Sequence, residues 1–176
     1  MNINYCTQCG GTVVLRNVDR DNIKRHICSQ CNFTHYQNPK IVTGCLVYKN
    51  EQILLCKRAI EPRLGLWTVP AGFMENGETT RQAARRETIE ESGANVELNK
   101  LFIVANLPHA NQVYMLYLAE LKGNDFHSSH ESSDVKLFTK ENIPWNNIAF
   151  YTVKLALTKF FEDSEKNQFS LHEIDF

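Results

Sequence analysis

Residues 72–94 read GFMENGETTRQAARRETIEESGA, in which a loop bounded by two glycines leads into a segment with the signals of a helix. Thr79 is followed three residues later by Gln82, which is the pattern of a capping box, and Gly93 is typical of the residue that ends a helix. The sequence therefore predicts a helix over residues 80–92. The glycines of the loop allow backbone carbonyls to come close to a ligand.

Three acidic side chains share one face of this predicted helix: Glu87, Glu90 and Glu91. At roughly 100° per residue, Glu91 lies about 40° from Glu87, and Glu90 lies about 60° to its other side. Like charges at these spacings cost roughly 0.2–0.5 kcal/mol per pair, and the negative end of the helix dipole adds to that cost. Arg86 is spaced to pair with Glu90, whereas Glu87 and Glu91 have no local cation. Such a cluster is either a solvated acidic face or a site for Mg²⁺ or Mn²⁺, which favour phosphate-bearing substrates.

Four of the six cysteines form two pairs, CTQC and CSQC, at Cys6, Cys9, Cys28 and Cys31. Thiolates spaced in this way can turn toward one ion, so the two pairs supply four tetrahedral sulfur ligands for Zn²⁺. A segment this short has too small a core to fold alone, and the binding energy of the metal would act as folding energy. Because four thiolates leave no open coordination position, we expect a structural zinc ion.

A domain boundary is predicted at the stretch Tyr36-Gln37-Asn38-Pro39, which gives a zinc ribbon over residues 1–36 and a second domain over residues 37–176. The ribbon is expected to hold two short strands, at 12–16 and 23–27, joined by a polar turn at 17–22.

The second domain is expected to mix strands and helices. Its predicted strands cover 41–48, 52–57, 98–106, 113–121 and 135–138, and a second helix is predicted over about 151–161. Cys45 and Cys56 stand in apolar strand-like runs and are expected to be buried. Since the order lacks a strict βαβ rhythm, it indicates the α+β class.

Composition excludes several classes of protein. The chain has 176 residues, 43% hydrophobic and 22% charged, with a formal net charge of −1. A basic nucleic-acid binder is not expected, and aspartates at 19 and 21 dilute the basic residues of the ribbon, so nucleic acid is not expected as a partner. No apolar run is long enough to span a membrane, and the first residues lack the layout of a secretory signal, so we expect a cytoplasmic protein.

The stretch 72–94 resembles the Nudix box, whose pattern is Gly, five residues, Glu, seven residues, Arg-Glu, an aliphatic residue, any residue, Glu-Glu, any residue, Gly and an aliphatic residue. Its polar and glycine positions are all in register here: Gly72, Glu78, Arg86, Glu87, Glu90, Glu91 and Gly93. Thr88 and Ala94 depart from the pattern at the two aliphatic positions, and both are small enough to pack. The resemblance continues through LWTVPAGF before the box to the cysteine pairs, as in Nudix hydrolases with an amino-terminal zinc ribbon.

This resemblance implies an α/β/α sandwich and hydrolysis of a nucleoside diphosphate linked to another moiety, with Mg²⁺ or Mn²⁺. The principal metal ligands would be Glu87 and Glu91, with the carbonyl of Gly72 and with Glu90 as an additional ligand or neighbour. Arg86 would orient the carboxylates, and Glu78 would brace the junction between loop and helix. A homodimer is expected by analogy with relatives.

A general base must accept a proton from the attacking water. In the family this is often a glutamate on a loop well beyond the box, and Glu131 in HSSHESSD fits that location. An exposed loop acid is the alternative interpretation of Glu131, and Glu120 and Glu90 are rivals for the role.

The preferred substrate is a dinucleotide, ADP-ribose or FAD, cleaved to AMP and a phosphorylated product. Members that cleave NADH carry an SQPWPFP-like segment after the box, whereas this chain reads VANLPHANQVYML, so NADH or nicotinamide-capped RNA is the second choice. A non-catalytic nucleotide or nucleic-acid regulator is a third hypothesis, disfavoured because all box carboxylates are present. The candidate substrate contacts are Arg58 and Arg63 for phosphates, Trp67 and Phe73 for stacking, and His109 as a polar contact, each with surface or core packing as the alternative.

Overall fold

The computed structural model describes residues 3–17 and 22–176, which form two compact units that divide between Asn38 and Pro39. Most of the turn predicted at 17–22 lies outside the described residues. The first unit is a three-stranded antiparallel sheet of β1 (Val13–Asn17), β2 (Lys24–Cys28) and β3 (Thr34–His35). Its two longer strands each begin one residue later than predicted. Its small core contains Cys6, Val13 and Cys28.

The second unit is built on one eight-stranded mixed sheet. Its strands are β4 (Lys40–Lys49), β5 (Gln52–Arg58), β6 (Trp67–Thr68), β7 (Ala71–Phe73), β8 (Val96–Leu107), β9 (Gln112–Leu121), β10 (Ser132–Phe138) and β11 (His172–Asp175). The order across the sheet is β10-β5-β4-β9-β8-β11, with β6 paired to β5 and β7 paired to β4. β4 runs parallel to β9 and β11 runs parallel to β8, whereas the other pairs are antiparallel.

Helices α1 (Thr80–Ser92) and α2 (Tyr151–Glu165) pack on opposite faces of this sheet. Neighbouring residues of β4 show the two faces, because Cys45 and Val47 join the cluster that contains Ala84 of α1, while Leu46 joins the cluster that contains Leu157 of α2. A strand buried on both faces reads as a continuous apolar run. The predicted α/β/α sandwich is therefore confirmed, as is the burial of Cys45 and Cys56.

The predicted helix over residues 80–92 is confirmed in its bounds and caps. The side chain of Thr79 accepts the N–H of Gln82, the Gln82 side chain accepts the N–H of Thr79, and Gly93 adopts a left-handed conformation with φ of 64°. Thr88 and Ala94 are fully buried. The Thr88 hydroxyl donates to the carbonyl of Ala84 at 2.7 Å, so its polar atom is satisfied inside the core.

The entry to α1 is fixed by a close approach between β4 and β7. β4 pairs with β5 only at its end, through Tyr48 and Lys49, whereas nearer its start it pairs with β7. A Cβ on Gly44 would lie 2.2 Å from the carbonyl oxygen of Pro70, so only glycine allows this approach. The consequence is that the loop before α1 is held on the central sheet. Across the described residues, no helix combines the length and apolar character needed to cross a bilayer.

Candidate active site and metal centres

A cavity of about 450 Å³ opens where β7, α1, β9 and the loops after β5 and before β10 meet. Four glutamates line it: Glu61, Glu87, Glu91 and Glu131. Among the described residues that line it, Arg58 is the only basic one. Glu91 is buried, Glu87 and Glu131 are half-buried, and only Glu61 is exposed. Three carboxylates withdrawn from water in one place are costly without a compensating cation, which makes this cavity the candidate active site.

Glu87 lies directly against the backbone of β7. A Cβ on Gly72 would lie 2.3 Å from Oε2 of Glu87, so the carboxylate occupies space that only glycine leaves open. Burial raises the pKa of Glu87 above its ordinary value, while Arg86 opposes that rise. The contact brings the carboxylate of Glu87 next to the backbone of Gly72.

Glu91 is the most buried carboxylate of the cavity, with 7% of its surface exposed. Burial, followed by the charges of Glu87 and Glu131, raises the pKa of Glu91 to about 8, while the N–H of Ala71 and the charge of Arg58 oppose this rise. A cation bound beside Glu91 would lower this pKa and favour the ionised carboxylate.

Arg86 is the centre of a network that ties the loop to the helix. Its guanidinium donates to both oxygens of Glu78 at 2.7 and 3.1 Å, and to Glu87 and Glu90 at 2.7 and 3.0 Å. It also donates to the carbonyl of Phe73 at 3.1 Å. The interpretation that Glu87 has no local cation is therefore wrong. Adjacent positions on a helix do not face each other, but the long side chain of Arg86 reaches back to its neighbour.

Glu90 differs from its two neighbours. Its side chain is 55% exposed, it pairs with Arg86, and it does not line the cavity. Glu78 accepts the N–H of Glu75 at 2.6 Å as well as Arg86, which fixes the end of the loop. The three carboxylates near the end of α1 thus occupy two different environments, since Glu87 and Glu91 line the cavity and Glu90 is exposed outside it.

Glu131 is brought to the cavity by the strand that follows it. Its carbonyl accepts the N–H of Ala59 at 2.8 Å, and its own N–H donates to the hydroxyl of Ser129 at 3.2 Å. Glu120 lies toward the other end of β9, paired with Lys122 at 2.8 Å. Since Gln112 lines the cavity and stands eight residues from Glu120, the two are roughly 27 Å apart along the strand, which removes Glu120 as a rival base.

The fold places the five candidate substrate contacts in different environments. Arg58 and Phe73 line the cavity, and 46% of the surface of Phe73 is exposed. Arg63 is exposed in a turn with φ of 68°, and His109 is exposed in a short 3-10 helix. Trp67 is in the core, where its ring packs edge-on against that of Phe138 at 4.9 Å. The structure therefore brings two of the five together.

Several lining residues were not among the sequence candidates, including Val42, Glu61, Thr68 and Phe150. Val42 lines the cavity beside Tyr114 because β4 and β9 pair in parallel, with these two residues in register. Sequence patterns do not reveal such a pairing between distant strands. Phe150 precedes α2, and no local signal marks it as part of a site that is built mainly from α1.

The sulfur atoms of Cys6, Cys9, Cys28 and Cys31 all lie within 4.8 Å of one another. The distances are 3.7 Å for Cys6 to Cys31, 3.5 Å for Cys9 to Cys28 and 3.4 Å for Cys9 to Cys31. A tetrahedral zinc ion with bonds of about 2.3 Å requires sulfurs about 3.8 Å apart, so this set fits Zn²⁺. Among the described residues it is the only group that gathers three or more side-chain ligands so closely.

Backbone amides favour the thiolate form of Cys28. The N–H groups of Gln30 and Cys31 both point at the sulfur of Cys28 at 3.4 Å, and the N–H of Gln8 points at that of Cys6 at the same distance. The hydrogen bond from Cys31 is the main reason why the pKa of Cys28 falls to about 6, although burial opposes it. The thiolate is the form that binds metal.

Comparison with known families agrees with this architecture. The NUDIX domain family model matches residues 38–156, and the model described as Nudix N-terminal matches residues 4–37. Since the first match alone covers more than half of the chain, this protein belongs to the Nudix family. The NUDIX hydrolase from Nitrosomonas europaea, known from its crystal structure, is 46% identical with a TM-score of 0.96, and the alignment covers 99% of both chains.

Two curated relatives carry specific names. The NAD-capped RNA hydrolase NudC of Vibrio vulnificus is 34% identical over 143 residues, which are 80% of this chain and 52% of the relative. The ADP-ribose pyrophosphatase of Methanocaldococcus jannaschii is 26% identical over 113 residues, 62% of this chain and 67% of the relative. The chain spans about half the length of the NudC relatives that it matches.

Proposed function

We propose that this Nudix protein hydrolyses the pyrophosphate bond of a nucleoside diphosphate derivative, with ADP-ribose and FAD as the first candidates. One observation carries the proposal: Glu87 and Glu91 turn into the same cavity, where Arg58 is the only basic residue among the described lining. Mg²⁺ or Mn²⁺ would offset the repulsion, and Glu87, Glu91 and the carbonyl of Gly72 would hold it. When bound, the ion supplies charge neutralisation for the phosphates and activation of water.

The residues around the proposed metal site have distinct roles. Arg86 fixes the rotamer of Glu87 through their 2.7 Å contact, and Glu90 supports Arg86 from outside and is a further candidate ligand. Glu131 lines the same cavity as Glu87 and Glu91 and would accept the proton of the attacking water.

The substrate contacts follow from the lining. Arg58 would bind a phosphate oxygen, and the exposed ring of Phe73 would stack on a base. A cavity of about 450 Å³ falls within the range of small-molecule sites, roughly 300–1,000 Å³. These features support a dinucleotide substrate. The roles of Arg63, Trp67 and His109 find no support in the positions of these residues.

A second candidate is NADH or nicotinamide-capped RNA, favoured by the name of the NudC relatives. That name also weighs against the expectation that nucleic acid is not a partner. Either reaction adds water across the pyrophosphate bridge and leaves a phosphate group on each product, so the two candidates share one chemistry. A homodimer and a cytoplasmic location stay predictions, the former to be checked by light scattering of the purified chain.

The test is a substrate panel with Mg²⁺ or Mn²⁺, in which products are separated by chromatography. ADP-ribose should give AMP and ribose 5-phosphate, FAD should give AMP and FMN, NADH should give AMP and reduced nicotinamide mononucleotide, and capped RNA should give a 5′-phosphate end. Glu91→Gln is the matched control and should reduce turnover by about 10²-fold or more while the chain stays folded. No hydrolysis of any substrate, or full activity of Glu91→Gln, would contradict the proposal.

A further inference from the structure

Arg58, the only basic residue among the described lining of this acidic cavity, contacts a carbonyl and an aromatic ring and no carboxylate. Its Nε donates to the carbonyl of Pro62 at 2.7 Å, and its guanidinium carbon lies 5.4 Å from the centre of the Phe150 ring. No ion pair in the described part of the chain involves Arg58, although Glu61, Glu87, Glu91 and Glu131 line the same cavity. An aromatic face and a carbonyl therefore take the place of a carboxylate partner.

The backbone on both sides of this contact is fixed. The N–H of Arg58 donates to the carbonyl of Leu66, and its carbonyl accepts the N–H of Gly65, both at 2.9 Å. On the other side, the N–H of Ala149 donates to the carbonyl of Trp67 at 2.8 Å. The position of Phe150 relative to Arg58 is thus determined by main-chain bonds to the same sheet.

Most of the hydrogen-bonding capacity of Arg58 remains unused. A guanidinium has five N–H donors, and within the described residues only the Nε donor of Arg58 has a hydrogen-bond partner. The four remaining donors form the fork that binds a phosphate bidentately. A carboxylate in the cavity would occupy the same fork, so the arginine stays available only while it is kept from pairing with its glutamate neighbours.

We propose that Phe150 is a positioning residue, whose ring keeps Arg58 off the glutamates of the cavity and aims its fork at a phosphate of the substrate. The inference rests on the proposed function for the identity of that phosphate. It extends the site from α1, which carries the glutamates, to the residue that precedes α2 on the opposite face of the sheet. An effect of Phe150 on substrate binding should therefore depend on Arg58.

The experiment is a double-mutant cycle on the full chain with Phe150→Leu, Arg58→Ala and both together. Phe150→Leu should raise KM about three- to tenfold with kcat changed by less than about twofold, because a cation–ring contact has that size. Phe150→Tyr keeps the ring and should recover most of the affinity. Tyr151→Leu, an aromatic change at the next position, outside the cavity lining, is the matched control and should leave KM unchanged.

In the Arg58→Ala background, Phe150→Leu should cause no further rise in KM. A full additional rise there, or an unchanged KM for Phe150→Leu alone, would overturn the inference. If the unmutated protein hydrolyses none of the panel, the proposed function fails separately, and calorimetric binding of inorganic pyrophosphate with Mn²⁺ replaces KM in the same cycle. Absence of pyrophosphate binding to the unmutated protein would also overturn the inference.

Discussion

The carboxylate of Glu87 lies so close to the backbone of Gly72 that a side chain at residue 72 would clash with it. A Cβ at residue 72 would lie 2.3 Å from the Glu87 carboxylate, while the position does not require a left-handed backbone. Gly72→Ala should therefore displace Glu87 and leave the fold intact. Since a misplacement of about 1 Å costs about 10²-fold in rate, we expect a loss of that order, with weaker Mn²⁺ binding.

The check on Gly72→Ala is hydrolysis of the best substrate together with a Mn²⁺ titration and a thermal melt. A melting temperature close to that of the unmutated protein is required for the comparison. Activity within a few-fold of the unmutated protein would show that the rotamer of Glu87 is not critical.

Individual residues were predictable where local spacing determines their neighbours. Glu87 and Glu91 could be singled out because a helix places them on one face, and both line the cavity. The positions of Trp67 and His109 could not be predicted, because the sequence does not distinguish an aromatic residue or a histidine that faces the core from one that faces solvent. Their positions depend on contacts with distant segments, such as that of Trp67 with Phe138.

At the scale of elements, α1 is joined to the loop before it by one arginine. Because Arg86 bonds to Glu78, Glu87, Glu90 and a main-chain carbonyl, a lysine cannot satisfy the same partners. Arg86→Lys should lower the free energy of unfolding by about 1–2 kcal/mol and the rate by about tenfold.

Chemical denaturation and steady-state kinetics measure these two effects. Arg85→Lys is the matched control, since Arg85 is exposed and adjacent in sequence, and it should change neither quantity appreciably. Equal behaviour of the two variants would refute the role of the Arg86 network.

Asp163 joins the end of α2 to β11. Its carboxylate accepts the N–H of Ser170 at 3.0 Å and contacts Nε2 of His172 at 2.9 Å. Burial favours the neutral acid, but these hydrogen bonds prevail and hold the pKa of Asp163 below its usual value. Ionised Asp163 therefore stabilises the fold above the unfolded-state value of about 4, and this contribution disappears as pH falls through the lower folded-state pKa.

Asp163→Asn should consequently lower the free energy of unfolding by about 1 kcal/mol at neutral pH. The difference from the unmutated protein should begin to shrink as the pH falls below about 4, where the unfolded chain takes up a proton at Asp163, and should disappear only below the lower folded-state pKa. Urea denaturation at several pH values tests this. A difference that is independent of pH would mean that the charge of Asp163 contributes nothing.

Element boundaries were predictable to different degrees. The limits of α1 followed from its capping residues, because a cap is a local hydrogen bond. The long strands were found but extend one or more residues farther at one or both ends, and the short strands β6 and β7 were not found, since two or three residues carry no periodic signal. These short strands bring Gly72 to the site, so the geometry of the site could be determined only from the structure.

For the whole molecule, we propose that residues 1–36 are a zinc ribbon domain and residues 37–176 a hydrolase domain. The cores of the two units share no residue, and the core of the first is very small, so zinc should supply most of its stability. Cys28→Ser should release the ion and unfold the first unit while the second stays folded.

Metal analysis and a thermal melt monitored by circular dichroism measure the outcome of Cys28→Ser. Cys56→Ser, at a buried cysteine outside the cluster, should retain zinc and serves as the control. Absence of zinc from the unmutated protein would remove the ribbon interpretation, and loss of both units in Cys28→Ser would show that they do not fold independently.

We propose that Glu87 and Glu91 tolerate each other because a divalent cation lies between them and the substrate. Its most direct test is the anomalous difference map of a crystal grown with Mn²⁺ and a non-hydrolysable analogue of ADP-ribose. We expect a manganese peak in contact with both carboxylates and the carbonyl of Gly72, with the pyrophosphate group of the analogue beside it. A map with no peak at these carboxylates, and the analogue bound outside the cavity, would contradict it.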